Sequence, residues 1–305
     1  MTALGPDLVI AGAARSGTST LAAALREHPA IDPGATKEPN FFSREFDRGW
    51  GWYDGLYSPR TDDLLRMDAS TSYTYPQHPE ALNRLAEAAP QAHVVYVVRE
   101  PIARAVSHYL LRRHTLQLEE APTFGAALSA GSYYTDVSDY RLWVARLQEV
   151  FARDKLLVIP FSALTASSHD IASVICRRLN LEPPPLNLET VSAHRNNVVE
   201  FRGSIAHNAA KLLRRSRVYP RVRAVVGANR VRRMRSRMIK SAQLPSLAEA
   251  LASCSLEQQD ELSRFSAEVE DFVGVRLAEQ DAENGLSWSQ HWPSAGDRKL
   301  NKSGP

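Results

Sequence analysis

Apolar positions in this chain fall into two patterns: short unbroken runs, and longer stretches with helical spacing. Leu8-Val9-Ile10, Val94 to Val98 and Leu156 to Ile159 are unbroken and partly or wholly β-branched. Such runs suit strands buried on both faces of a parallel sheet. Leu64 to Met67 reads as a further strand and runs into DASTSY. Between these runs the period changes to that of a helix. Thr18 to His28 places Leu21 and Leu25 four apart and is stopped by Pro29. Pro79 to Ala89 turns Leu82 and Leu85 inward, and Pro101 suits the first turn of a helix after the Val94–Val98 strand. Further helices are predicted over Phe124–Ala130, over Ser138–Ala152 with Leu142, Leu147, Val150 and Phe151 as its apolar stripe, and over Ala172–Leu179. Ser255-Leu256-Glu257-Gln258 is a capping box. It opens an amphipathic helix bearing Leu262, Phe265, Val269, Phe272 and Val273. Strands alternating with helices predict an α/β fold with a central parallel sheet between two helical layers.

Composition changes this picture in one place. The chain has 305 residues, 44% apolar and 23% charged, enough for one large domain, expected over 1–293 with a disordered tail at 294–305. The net charge is +3, yet Arg202 to Lys240 holds thirteen Lys and Arg and no Asp or Glu. The remainder is therefore acidic, and the block is a local cationic surface. It reads as a basic helical segment, either a lid or a surface for anionic membranes or nucleic acid. Tyr219 is its single aromatic residue, which argues against stacking on nucleic-acid bases. No run approaches the length of a membrane helix, and the N-terminus does not read as a secretory signal. Cys176 and Cys254, far apart and without metal-ligand spacing, read as free buried thiols of a reducing cytoplasm.

The candidate chemistry begins at DLVIAGAARSGTST, Asp7 to Thr20. A strand enters a tight turn bracketed by Gly12 and Gly17, and a helix leaves it at Thr18. Backbone N–H groups and a helix N-terminus make an anion site. Arg15 adds a permanent cation, and Ser16, Thr18, Ser19 and Thr20 add hydroxyls, which suits a 5′-phosphate. The glycine spacing matches the start of the nucleoside-triphosphate loop, but Thr18 stands where that loop has its lysine. The second segment is VVYVVREPIARAVSHY. Arg99 closes its strand, where open α/β sheets place ligands, and Ser107 lies two turns into the next helix with Arg104 one turn before it. A cation and a hydroxyl so placed suit a second phosphate. The third is KEPNFF, where the Lys37-Glu38 pair precedes two phenylalanines expected to anchor the loop and partly desolvate the carboxylate. Trp50, Trp52, Tyr53 and Tyr57 form an aromatic cluster better explained by core packing than by a cleft.

Together GAARSGTST, KEPNFF, VVYVVREPIARAVSHY and the late GLSW resemble the sulfotransferases that use 3′-phosphoadenosine 5′-phosphosulfate (PAPS), in the branch shared by bacterial sulfotransferases and heparan sulfate sulfotransferase domains. The likeness runs from about Asp7 to Trp288. It implies a P-loop-like three-layer fold, PAPS as the donor without a metal, and sulfuryl transfer to a hydroxyl, or less often an amine. It assigns Arg15, Gly17, Thr18 and Ser19 to the 5′-phosphosulfate, Arg99 and Ser107 to the 3′-phosphate, and Glu38 to the catalytic base. Arg202-Gly203 corresponds weakly to a later element that closes on the 3′-phosphate. The heparan branch often has a lysine where DASTSY has Ala69, and Lys37 is the nearest substitute in sequence.

The acceptor is expected among carbohydrates, lipid-linked sugars and small natural products. His78 and His108 are rival bases. A nucleotide kinase or ATPase is the alternative enzyme, disfavoured by Thr18 and by the cation Arg99 at the strand end. The cationic block leaves a binding protein for anionic surfaces as the alternative from another class, and peripheral membrane contact through 202–240 as an accessory role.

Overall fold

A computed structural model describes residues 5–185, 199–201, 239–241 and 244–293. The chain divides into two compact units, one of residues 1–105, 131–196 and 255–305, the other of residues 106–130 and 197–254.

The first unit is built on a five-stranded parallel sheet in the order β2-β3-β1-β4-β5. Its strands are β1 (Leu8–Gly12), β2 (Ile31–Asp32), β3 (Leu65–Asp68), β4 (His93–Val98) and β5 (Leu156–Pro160). The unbroken apolar runs are the three strands β1, β4 and β5, which are buried almost throughout. The two-residue β2 is too short to leave a period in the sequence, and only its pairing with β3 defines it.

The helices in chain order are α1 (Thr18–Leu25), α2 (Trp50–Asp54), α3 (Ala81–Ala88), α4 (Pro101–Leu110), α5 (Phe124–Ser129), α6 (Tyr133–Asp136), α7 (Tyr140–Val150), α8 (Phe161–Ala166), α9 (Ser168–Arg178), α10 (Leu247–Ala252) and α11 (Leu256–Asn284). Alternation along the strands sorts the core into two faces. Val9, Val94, Tyr96, Val98 and Val158 pack with Leu82, Leu85, Trp143, Leu147, Val269, Val273 and Leu277 from α3, α7 and α11. Leu8, Ile10, Val95, Val97, Leu157 and Ile159 pack with Leu21, Leu25, Ile171 and Ile175 from α1 and α9. Two helical layers on one parallel sheet are the three-layer arrangement predicted.

Several boundaries move. Helix α1 ends at Leu25, three residues before His28. Leu142, placed above in the stripe of α7, is 46% exposed, while Trp143, Val144 and Leu147 form the buried face. The capping box at Ser255 is present, with Ser255 Oγ accepting from Gln258 N and Gln258 Oε1 from Ser255 N. The outer edge of β5 is closed by a side chain: Gln280 of α11 accepts from Val158 N and donates to Val158 O, both at 2.8 Å. A buried edge strand whose backbone lacks a neighbouring strand needs such partners.

In the second unit α5 meets α10, and Gly125 N donates to Ser253 Oγ at 3.0 Å. A ribbon of β6 (Val199–Phe201) and β7 (Ile239–Ser241), antiparallel, flanks the basic block in sequence. Helices expected inside the block, and the tail from 294, lie outside the described residues.

Candidate active site

Strand β1 delivers the glycine loop to the C-terminal edge of the sheet, between β3 and β4. Gly17 has φ +85° and caps the N-terminus of α1. An added Cβ there would lie 2.8 Å from Phe161 Cε2. Gly12 is equally closed, since a Cβ would meet Thr74 Oγ1 and Tyr96 Cε2 at 2.6 Å. Glycine at both positions lets the loop backbone lie against the core. Thr18 is buried as the first residue of α1, Ser19 and Thr20 are half-buried, and Ser16 is wholly buried.

Three arginines gather on this loop. Arg15 itself takes the left-handed backbone, φ +72°. Arg99, the residue after β4, donates from Nη1 to Arg15 O at 3.1 Å and stacks over Phe161, 4.9 Å from the ring centre. Arg104 is fully buried under the loop, donating to Ala14 O, to Ser138 Oγ and to Tyr134 O. Burial lowers the pKa of all three guanidiniums, and Arg15 is lowered further by the charges of Arg99 and Arg104. Like charges held this close and partly desolvated make a site whose electrostatics favour a polyanion. Helix spacing relates Arg104 to Ser107 and gives no sign of this support of the loop, which joins residues 90 apart.

Glu100 faces elsewhere. Its carboxylate caps α4, accepting from Ile102 N at 2.7 Å and Ala103 N at 2.5 Å, and from Ser266 Oγ. Ser107 is half-buried on α4. Arg202 and Gly203 lie outside the described residues.

The KEPNFF loop runs beside the same edge. Phe41 and Phe42 are wholly buried, with Phe41 stacked on Tyr53 and edge-on to Trp50, so the aromatic cluster is core. They anchor the loop as expected but do not cover Glu38, whose side chain stays 39% exposed. Lys37 bridges instead. Its Nζ lies 2.6 Å from Glu38 Oε1, 3.4 Å from Thr18 Oγ1 and 3.5 Å from Ala69 O. The ammonium thus occupies the neighbourhood of Ala69, where the sequence lacks a basic residue, and joins Glu38 to the start of α1.

The rival histidines are engaged or enclosed. His78 Nε2 accepts from Arg44 Nε at 3.4 Å, and burial together with Arg44 and Arg84 lowers its pKa. His108 is buried.

A model of the sulfotransferase family matches residues 53–185, the stretch that holds β3, β4, Arg99 and β5. Over that stretch the chain is similar to the sulfotransferase family. It is 38% identical over 104 residues to heparan sulfate glucosamine 3-O-sulfotransferase 6 of Mus musculus, a match covering 34% of this chain and 30% of that protein. It is 33% identical over 122 residues to heparan sulfate glucosamine 3-O-sulfotransferase 3B1 of Homo sapiens, covering 39% of this chain and again 30% of the relative. The chain therefore aligns with less than a third of the length of these relatives. The crystal structure of a sulfotransferase from Alicyclobacillus acidocaldarius shares the fold, with a TM-score of 0.50 and 24% identity over 72% of this chain and 95% of that one.

Proposed function

We propose that this chain is a sulfotransferase that moves the sulfuryl group of PAPS to a hydroxyl of a carbohydrate-type acceptor. The observation that carries the reading is the Lys37 bridge, which ties Glu38 to the first residue of the helix whose N-terminus and three arginines form the anion site. The glycine loop fits a phosphate because its side-chain space is closed at Gly12 and Gly17 while cations border it. Arg15, Ser16, Gly17, Thr18, Ser19 and Thr20 form the 5′-phosphosulfate loop, in which the Ser16 side chain is enclosed and its N–H donates to Ala13 O, so that Ser16 shapes the turn. Arg99 takes the 3′-phosphate, and the family resemblance assigns Ser107 of α4 to the same group.

In the reaction the sulfur–oxygen bond to the 5′-phosphate breaks, a new one forms to the acceptor oxygen, and the acceptor proton passes to Glu38. Arg15 and Lys37 meet the charge that grows on the phosphate and sulfuryl oxygens, a stabilisation of roughly 2.7–4 kcal/mol per preorganised donor. The relatives whose names specify heparan sulfate glucosamine support a sugar hydroxyl as acceptor.

Calorimetry with adenosine 3′,5′-bisphosphate and with AMP tests the donor site. Tighter binding of the bisphosphate, by the ~1.5–3 kcal/mol of a charged hydrogen bond, is expected. Equal affinities would remove the assignment of Arg99.

A further inference from the structure

We propose that Asp68 is a positioning residue, which acts through Ser70 and Asn40 to hold the Lys37–Glu38 segment against the donor loop. The proposal rests on the reading of Glu38 as the base.

Asp68 ends β3 and is wholly buried. Three hydroxyls converge on it: Ser70 Oγ at 2.6 Å on Oδ1, and Tyr73 and Tyr53 at 2.6 and 3.0 Å on Oδ2. Tyr53 accepts in turn from Tyr57. A carboxylate can accept from all three donors at once, whereas an amide in its place would turn its own N–H groups toward hydroxyl hydrogens. With its proton committed to Asp68, Ser70 Oγ presents a lone pair outward, and Asn40 N donates to it at 2.9 Å.

Asn40 is the pivot of the loop. It adopts the left-handed backbone, φ +53°, which asparagine tolerates better than most residues. Its Nδ2 donates to Glu38 O at 2.8 Å, and its Oδ1 accepts from Ser72 Oγ at 2.6 Å. Its carbonyl accepts from Arg44 N at 2.8 Å and Glu45 N at 3.1 Å. One residue after Asp68, Ala69 N donates to Lys37 O at 3.3 Å while Lys37 Nζ returns to Ala69 O. Residues 68–72 therefore grip residues 37–40 on both sides of Glu38, whose carboxylate remains partly exposed toward an acceptor. A base must sit within hydrogen-bond reach of the proton it takes, so the placement of this backbone governs turnover more than donor binding.

The test compares wild type, Ser70→Ala, Asp68→Asn, Glu38→Gln and Ser70→Ala/Glu38→Gln. Asp68→Asn is nearly isosteric and carries the test if Ser70→Ala melts early. Water serves as the probe acceptor: its proton goes to Glu38, and PAPS yields sulfate and adenosine 3′,5′-bisphosphate. Ser70→Ala is expected to slow this hydrolysis by about 10- to 100-fold, in line with the cost of a small misplacement. Its affinity for the bisphosphate should stay within about twofold, since no donor contact of the loop is touched. Amide exchange at Asn40 should quicken, and adding Ser70→Ala to Glu38→Gln should cost nothing more. Unchanged exchange at Asn40, or losses that add in the double variant, overturns the proposal. Wild-type hydrolysis by Glu38→Gln alone overturns the base reading, and the proposal with it, and is recognised from that single variant.

Discussion

Lys37 and Arg15 differ in what surrounds them, and that difference decides what each substitution does. Lys37 reaches three oxygens of different elements, whereas Arg15 sits in the field of two other guanidiniums. Arg15 is held in a strained backbone beside like charges, a state worth maintaining where negative charge develops during reaction. Arg15→Ala should therefore lower turnover by about 10²–10³ while weakening bisphosphate binding less. Steady-state kinetics beside calorimetry checks this, and a variant that loses only affinity makes Arg15 a binding residue alone. Asp68 carries a prediction of another kind. Burial pushes its pKa up from 3.8 to about 6, against the hydrogen bonds of Ser70, Tyr73 and Tyr53, with the Glu38 charge adding to the rise. Tyr57 also faces it, and Arg66 lies over the Tyr57 ring. The folded state thus holds this proton more tightly than the unfolded chain. Its contribution to stability is present below about pH 4 and is lost as pH rises through about 6, by about 3 kcal/mol in all. Asp68→Asn removes this component. Urea denaturation between pH 4 and pH 7 should show the two proteins diverging in pH dependence, and parallel profiles would exclude the assignment.

At the scale of elements, the site depends on a sheet whose edge is closed by a helix. Strand β5 pairs with β4 on one side only, and Gln280 of α11 supplies on the other side what a sixth strand would supply at Val158. Gln280→Leu keeps the volume and leaves a buried N–H and a buried C=O without partners. At ~1–3 kcal/mol for each of the two orphaned groups, the loss should be about 2–6 kcal/mol. Chemical denaturation measures it, and a change under about 0.5 kcal/mol would mean water replaces the side chain. The capping box of α11 and the glycine start of α1 were visible as letters, because caps and tight turns are local chemistry. The partnership of Gln280 with β5 was not visible. The two lie 122 residues apart, and nothing near Gln280 marks it as anything but one polar residue on a long helix.

For the whole molecule, the proposed donor site at the gathered arginines predicts that donor binding is coupled to folding. On the proposed donor reading the bisphosphate binds the folded chain alone, and at 100 times its dissociation constant it should raise unfolding free energy by about 2.7 kcal/mol. AMP at the same concentration should do less, and high salt should shrink the effect. Thermal melts across the two nucleotides test this; equal shifts would disconnect the arginine cluster from the 3′-phosphate. Sequence by itself determined the parallel sheet, the glycine loop, the cation at the end of β4 and the pair at Lys37-Glu38. Each is written in adjacent residues, as an unbroken apolar run, a turn requirement or a helix start. Only tertiary structure decided that Arg104 lies beneath Ala14, that Leu142 faces outward, that Phe41 and Phe42 leave Glu38 uncovered, and that Lys37 meets Thr18. It also made Asp68, a single letter in DASTSY, the acceptor for three hydroxyls. These are contacts between segments distant in the chain. Periodicity reports which face of an element is apolar, but the polar groups that meet across a core are chosen by how the elements pack.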